Sequence, residues 1–320
     1  MFAKVMANST EDGFSFDTVQ AVACTSSPQE KYYIYTLIPV NILLFLAAAL
    51  GNALILVALP KVSSLHPPTK AMFQCLALTD LGVGVIAQPV FVIHLISTVH
   101  ELMQLCYTAV AINEAVAGSL LGVSLVTLTV ISVDRLLALS LGLQYRFKVT
   151  LQRVRAMLIF FWFLNISLSI GRIFWNFFVI STAISAAIFS SLAISAFSYA
   201  KIYLTLRRRN AMQEDIVHQG HSNSEDGMNR PLNIARYRRT VSTALYVQLS
   251  MIACYLPYGI ISSIQYEKGY SPSINIASLL AGTLGGLNSA LNPILYCWKI
   301  NGVRQAVKNI VKQWCNFLSS

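Results

Sequence analysis

The chain has 320 residues, of which 55% are hydrophobic and only 11% charged, with a net charge of +10. A soluble protein of this size carries about 25% charged residues, so the composition excludes an ordinary soluble domain and indicates a membrane protein. The basic excess is no nucleic-acid signal. Nineteen Lys and Arg residues fall at one set of loop ends, and four (Lys4, Lys31, Arg172, Lys268) at the other. That is the positive-inside asymmetry of membrane topology.

Residues 1–31 read as a polar extracellular segment without fixed order. They lack the apolar core of a cleavable signal and include Glu11, Asp12, Asp17 and Glu30, so helix 1 is expected to act as its own insertion signal. Asn8-Ser9-Thr10 is a glycosylation sequon, which predicts modification of Asn8 outside the cell. Of six cysteines, only Cys24 and Cys106 fall on the outer side, where oxidation is allowed. One disulfide between them is therefore expected.

Helix 1 is predicted over 32–60 and carries Asn52. Helix 2, over 67–96, carries Asp80 and should be kinked by Pro89, which removes a backbone hydrogen bond and crowds the preceding turn. Helix 3, over 108–141, ends in Asp134-Arg135. Helix 4 spans 151–171 and contains Trp162; helix 5 spans 176–206 and contains Tyr199. Little more than Gly171-Arg172 separates these two, so their outer loop cannot form a substantial lid. Residues 210–235 are polar and read as a flexible cytosolic loop. Helix 6 spans 236–264 and is bent at Pro257; helix 7 spans 272–298 and contains Asn292-Pro293. These seven crossings define an all-α receptor-type domain over 32–298. In residues 299–320, Val303, Val307 and Ile310 oppose Arg304, Lys308 and Lys312, which suits a helix lying in the inner interface in contact with lipid. Cys315 there is a candidate lipidation site.

Several polar residues sit deep in these apolar runs. At 1.5 Å per residue, Asp80 lies roughly 20 Å from the inner end of helix 2, and Ser124 about 16 Å outward from Arg135. Asn288, Ser289 and Asn292 reach similar depth. Interhelical hydrogen bonding explains a serine or an asparagine, but an unpaired carboxylate is expensive there. Asp80 with Ser124, Asn288 and Asn292 would make an oxygen-rich site for a small hard cation. Pro89, Pro257 and Pro293 could serve as hinges, and Pro293 beside Asn292 and Tyr296 reads as part of a switch.

Gly51-Asn52, Leu76-Ala77-Leu78-Thr79-Asp80, Asp134-Arg135, Trp162, Tyr199, Cys254-Tyr255-Leu256-Pro257 and Asn292-Pro293-Ile294-Leu295-Tyr296 resemble, helix by helix, the signatures of rhodopsin-like (class A) G protein-coupled receptors. The resemblance covers about residues 32–317. It implies a plasma-membrane receptor with an extracellular ligand and a heterotrimeric G protein as partner. It also implies activation roles for Asp134, Arg135, Tyr199, Tyr255, Pro257, Asn292, Pro293 and Tyr296, and a sodium ion as allosteric modulator at Asp80, Ser124, Asn288 and Asn292. The chain departs from the pattern at Leu136, Tyr255, Ser191 and Val110, where the family usually has tyrosine, tryptophan, proline and cysteine. The missing helix 5 proline, the short second outer loop and the missing helix 3 disulfide resemble the melanocortin, cannabinoid and lysophospholipid branch, with adenosine receptors nearby.

Candidate ligand residues are His94, Asn113, Glu114, Tyr258, Ser262 and Tyr266, with Glu114 suited to a cationic group. Ala117 stands where amine receptors carry an acid, and Gly286 where opsins carry the retinal-linking lysine, so amine and retinal ligands are disfavoured. A peptide or lipid ligand is expected, with a purine as alternative. From other classes, a transporter should show internal repeats, of which none is evident, and an enzyme should show a nucleophile–base set, also not evident. At the inner end of helix 6, Tyr237 stands among Arg236, Arg238 and Arg239 where the family often has an acid that restrains Arg135. With only an exposed Asp134 as restraint, appreciable ligand-independent signalling is expected.

Overall fold

The structure, a computed structural model, describes residues 16–63, 65–175, 177–219, 249–265 and 271–318. In chain order it contains α1 (Phe16–Ala23), α2 (Pro28–Ala58), α3 (Pro67–Gly82), α4 (Gln88–Val99), α5 (Met103–Leu141), α6 (Tyr145–Lys148), α7 (Leu151–Phe174), α8 (Phe177–Gln219), α9 (Leu249–Gln265), α10 (Pro272–Lys299) and α11 (Asn301–Leu318). Among the described residues, six helical segments are long and apolar enough to cross a membrane, and α9 is a shorter apolar helix between the last two of them. No strand occurs among the described residues. The result is an all-α bundle of seven membrane helices, with α3 and α4 forming one crossing.

The bundle turns apolar side chains outward, as lipid requires, and encloses a polar cluster within an otherwise apolar interior. Leu43 and Leu50 are 67% and 71% exposed on α2, while Asn52, Asp80, Ser124, Asn288, Ser289 and Asn292 are fully buried. Hydrocarbon cannot satisfy such groups, so they turn toward one another. Below them, Met72, Leu76, Leu125, Leu128, Met251 and Tyr296 form the inner core, against which α11 packs Val303 and Ile310. The other face of α11 carries Lys308 and Lys312, and Cys315 is exposed near its end.

Local chemistry sets the helix starts. Ser27 and Glu30 form a capping box: Ser27 Oγ accepts from the Glu30 amide at 3.3 Å, and the Glu30 carboxylate accepts from the Ser27 amide at 2.7 Å. Ser271 caps α10 through the Ile274 amide, with Pro272 opening the first turn. Gly142 ends α5 at φ +52°, a left-handed conformation glycine adopts without Cβ strain, and α6 follows.

Three expectations need correction. Within the outer segment, residues Phe16–Ala23 form a helix, and the helix of the first crossing begins at Pro28 rather than 32. Phe16, Val19, Val22 and Ala23 of α1 bury themselves against Val110 and Phe177, beside a disulfide between Cys24 and Cys106. The Gln20 side chain also donates to the Tyr107 carbonyl at 2.9 Å. Second, the break in helix 2 is a π turn over Val83–Ala87, ending two residues before Pro89, so the proline sits in the first turn of α4 with its missing amide already accommodated. Third, α8 runs to Gln219, so residues 210–219 continue the helix instead of opening a flexible loop. Asn8, Tyr237, Tyr266 and the remainder of 210–235 lie outside the described residues. At the outer surface, Lys31 pairs with Glu101 at 2.5 Å and holds that exposed carboxyl below its ordinary value.

Candidate functional site

An outer cavity of about 200 Å³ opens between α1, α4, α5, α7, α8, α9 and α10. His94, Asn113, Glu114, Tyr258 and Ser262 all line it, as their sequence positions suggest. Val19 and Ala23 of α1 contribute to its outer wall, and His94 Nε2 lies 3.4 Å from the Ala23 carbonyl. The covering role that the short loop between α7 and α8 cannot fill is taken by α1, held to α5 by Cys24–Cys106. At the floor Tyr255 is buried and its hydroxyl donates to the Leu121 carbonyl at 3.3 Å.

Glu114 does not present an unpaired charge. Its carboxylate accepts from Arg172 Nη1 at 2.6 Å. The same nitrogen donates to the Tyr258 hydroxyl at 3.2 Å, Arg172 Nε donates to Ser181 at 3.0 Å, and the guanidinium lies 4.7 Å from the Phe177 ring centre. Arg172 therefore ties four helices together: α5, α7, α8 and α9. The sequence reading treated Arg172 as a topological charge. Its position at the end of an apolar run, with no outer loop to carry it into water, was the signal that it turns inward.

Below the cavity, Asp80 is fully enclosed. Ser289 Oγ donates to its Oδ1 at 2.8 Å and Ser124 Oγ to the same oxygen at 3.2 Å, while Asn292 Nδ2 donates to Oδ2 at 2.6 Å. Asn288, expected among the oxygen ligands of this site, makes no hydrogen bond to Asp80, whereas its neighbour Ser289 does. Both polar ends of Asn288 are buried without a partner, as is Asn292 Oδ1. Asn52 Nδ2 fixes the local backbone by donating to the Ser289 carbonyl at 3.0 Å. A carboxylate, two hydroxyls and two unmatched amide oxygens at one depth fit a small hard cation, which prefers oxygen ligands.

At the inner end, Asp134 is buried rather than exposed, contrary to expectation. Tyr145 OH donates to its Oδ1 at 2.6 Å; Arg135 Nε donates to Oδ2 at 3.1 Å, and Arg135 Nη2 bonds the same oxygen. Arg135 Nη2 also donates to Thr69 at 2.6 Å. Tyr145 and Thr69 were not singled out from sequence; Tyr145 opens α6 just after α5, and Thr69 lies in the first turn of α3. Tyr199 packs with Leu139 and Ile202. Tyr296 is buried against Phe73, its hydroxyl without a partner, and Pro293 lies where any Cβ on Gly51 would strike it at 2.9 Å. Pro257 lies within α9, between Tyr255 and Tyr258.

A family model described as 7 transmembrane receptor (rhodopsin family) matches residues 51–177 and 172–296. Among curated relatives, 5-hydroxytryptamine receptor 1B of Vulpes vulpes is 23% identical over 335 residues, covering 85% of this chain and 85% of that receptor. The Homo sapiens receptor of the same name gives the same identity and coverage. Adenosine receptor A3 of Ovis aries is 26% identical over 302 residues, covering 87% of this chain and 90% of that receptor.

Proposed function

The chain belongs to the rhodopsin family of seven-transmembrane receptors, and from that premise we propose that it sits in the plasma membrane, amino terminus outside, binds an extracellular peptide or lipid in the cavity beneath α1, and activates a heterotrimeric G protein. Membership makes it a signalling receptor and not an enzyme. The observation that carries the reading is the vertical order of three constellations. The cavity with Tyr255 at its floor lies outermost, the Asp80 cluster comes next, and the Arg135 network lies at the inner face. Asp80, Ser124, Asn288, Ser289 and Asn292 would hold a sodium ion, which would neutralise the buried carboxylate. These side chains join the second, third and seventh crossings, so a change in their bonding alters how those helices meet. Arg135, released from Asp134 and Thr69, would become available to the G protein, with Tyr199, Pro257, Pro293 and Tyr296 carrying the helix movements. Asn8 would carry glycan and Cys315 lipid.

An adenosine-like purine ligand is the second reading. It is supported by the small cavity and by the likeness to adenosine receptor A3. The test is a second-messenger screen in cells against melanocortin peptides, lysophospholipids, endocannabinoids, purines and amines. A response to one of the first three classes supports the leading reading, a purine response the second. Silence across the panel, with expression at the surface, counts against both.

A further inference from the structure

Glu114 and Arg172 are the two formally charged acid and base side chains among the described residues lining the cavity, and they neutralise each other at 2.6 Å. Arg172 is buried and already engages Ser181, Tyr258 and the Phe177 ring. A ligand cation that takes Glu114 leaves the guanidinium uncompensated in a half-dry site, and a ligand anion that takes Arg172 strands the carboxylate. Breaking a buried ion pair by removing one partner is strongly unfavourable. The cavity therefore penalises net charge of either sign.

What the lining leaves unmet is neutral. Gln88 is buried, its Oε1 has no partner, and its carboxamide occupies the space that a Cβ on Gly286 would fill. Higher on the same wall, Asn275 is buried and its Nδ2 has no partner either. Eleven residues of α10 separate Asn275 from the level of Gly286, about 16 Å along the axis. Between them stand Phe91 and Leu279, which pack together, and Leu121. An acceptor at the floor, a donor near the mouth and an apolar stretch between them describe one kind of occupant.

We infer that the ligand is uncharged and leads with a hydrogen-bond donor that meets the Gln88 carboxamide oxygen at the cavity floor, leaving the Glu114–Arg172 pair intact. This rests on the reading of the cavity as the ligand site. A fatty amide and a nucleoside share the required chemistry, and each has charged counterparts on the same skeleton.

The test measures binding to purified receptor in lipid nanodiscs, without G protein. Dodecanamide is compared with dodecanoate and dodecylamine, and adenosine with adenosine monophosphate. At least one neutral probe binds more tightly than its charged counterparts, and the arm in which this occurs identifies the source. Gln88→Leu weakens that probe about tenfold, the effect of one lost buried hydrogen bond. The variant should fold, because leucine removes an unpartnered polar group from an apolar setting. Gly286→Ala, which drives the carboxamide from its place, produces a loss of the same order. Binding of neither neutral probe, tighter binding of a charged counterpart, or unchanged affinity in Gln88→Leu with intact thermal stability overturns the inference. Failure of the receptor reading is seen separately, as absence of G protein nucleotide exchange with any ligand.

Discussion

Asn292 donates its side-chain N–H to Asp80 across 2.6 Å and so joins the second and seventh crossings at mid-membrane depth. Ser289, one turn earlier on α10, donates to the other oxygen of the same carboxylate. The two halves of the bundle thus meet on a single buried acid, and a change in what that acid binds is felt on both.

Asp80→Asn tests this node. The substitution keeps the shape and removes the formal charge, so most of any effect of sodium on agonist affinity should vanish. The comparison is between sodium chloride and a salt of a large organic cation at equal ionic strength. Equal responses of wild type and variant to sodium would show that Asp80 is not the coordinating group.

Tyr145→Phe tests the restraint at the inner face. Asp134 loses a donor at 2.6 Å, and a hydrogen bond to a charged group contributes about 1.5–3 kcal/mol. Basal G protein activation should rise about tenfold or more, since about 1.4 kcal/mol shifts a two-state ratio tenfold. The buried Asp134 replaces the weak exposed restraint expected from sequence, so wild-type basal activity should be low. Basal signal unchanged between wild type and Tyr145→Phe, at matched surface expression, would contradict this.

Cys24→Ser and Cys106→Ser test the attachment of α1. The bond closes a loop of 82 residues in sequence, and loss of such a cross-link costs about 2–5 kcal/mol. Each variant should unfold at lower temperature, and the amides of α1 should exchange faster with solvent. Unaltered exchange across residues 16–23 would show that packing alone holds the helix.

Gly84→Ala tests a close approach of the second crossing to the α2 backbone. A Cβ at that position would lie 2.7 Å from the Ala49 backbone nitrogen, and backbone cannot yield as a side chain can. Overpacking of this kind costs about 1–3 kcal/mol, to be read as a fall in the thermal midpoint of the purified receptor.

The chain discloses its architecture because membrane helices are written in long apolar runs and their interruptions. Asp80, Arg135 and Pro293 stand out against such runs. Subtler placements are not visible at that level. Ser289 and Asn288 are neighbours on one helix, and only its rotation about the axis decides which meets Asp80. Arg172 could turn either to water or inward, and the absence of a loop around it was the available clue. Helix α1 escaped notice because eight residues inside a polar segment give little signal, although Phe16, Val19, Val22 and Ala23 repeat at helical spacing. The π turn before Pro89 has no local signature, since it arises where α2 and the second crossing must fit closely at Gly84.

The most direct test of the account is guanine-nucleotide exchange on a panel of purified heterotrimeric G proteins by the receptor in nanodiscs, comparing wild type with Arg135→Ala. The account predicts that, with the ligand identified by the cell screen, wild type accelerates exchange on at least one heterotrimer, and that Arg135→Ala loses most of this acceleration while retaining ligand binding. Acceleration undiminished in Arg135→Ala, or none by a ligand-bound wild type on any heterotrimer, would contradict it.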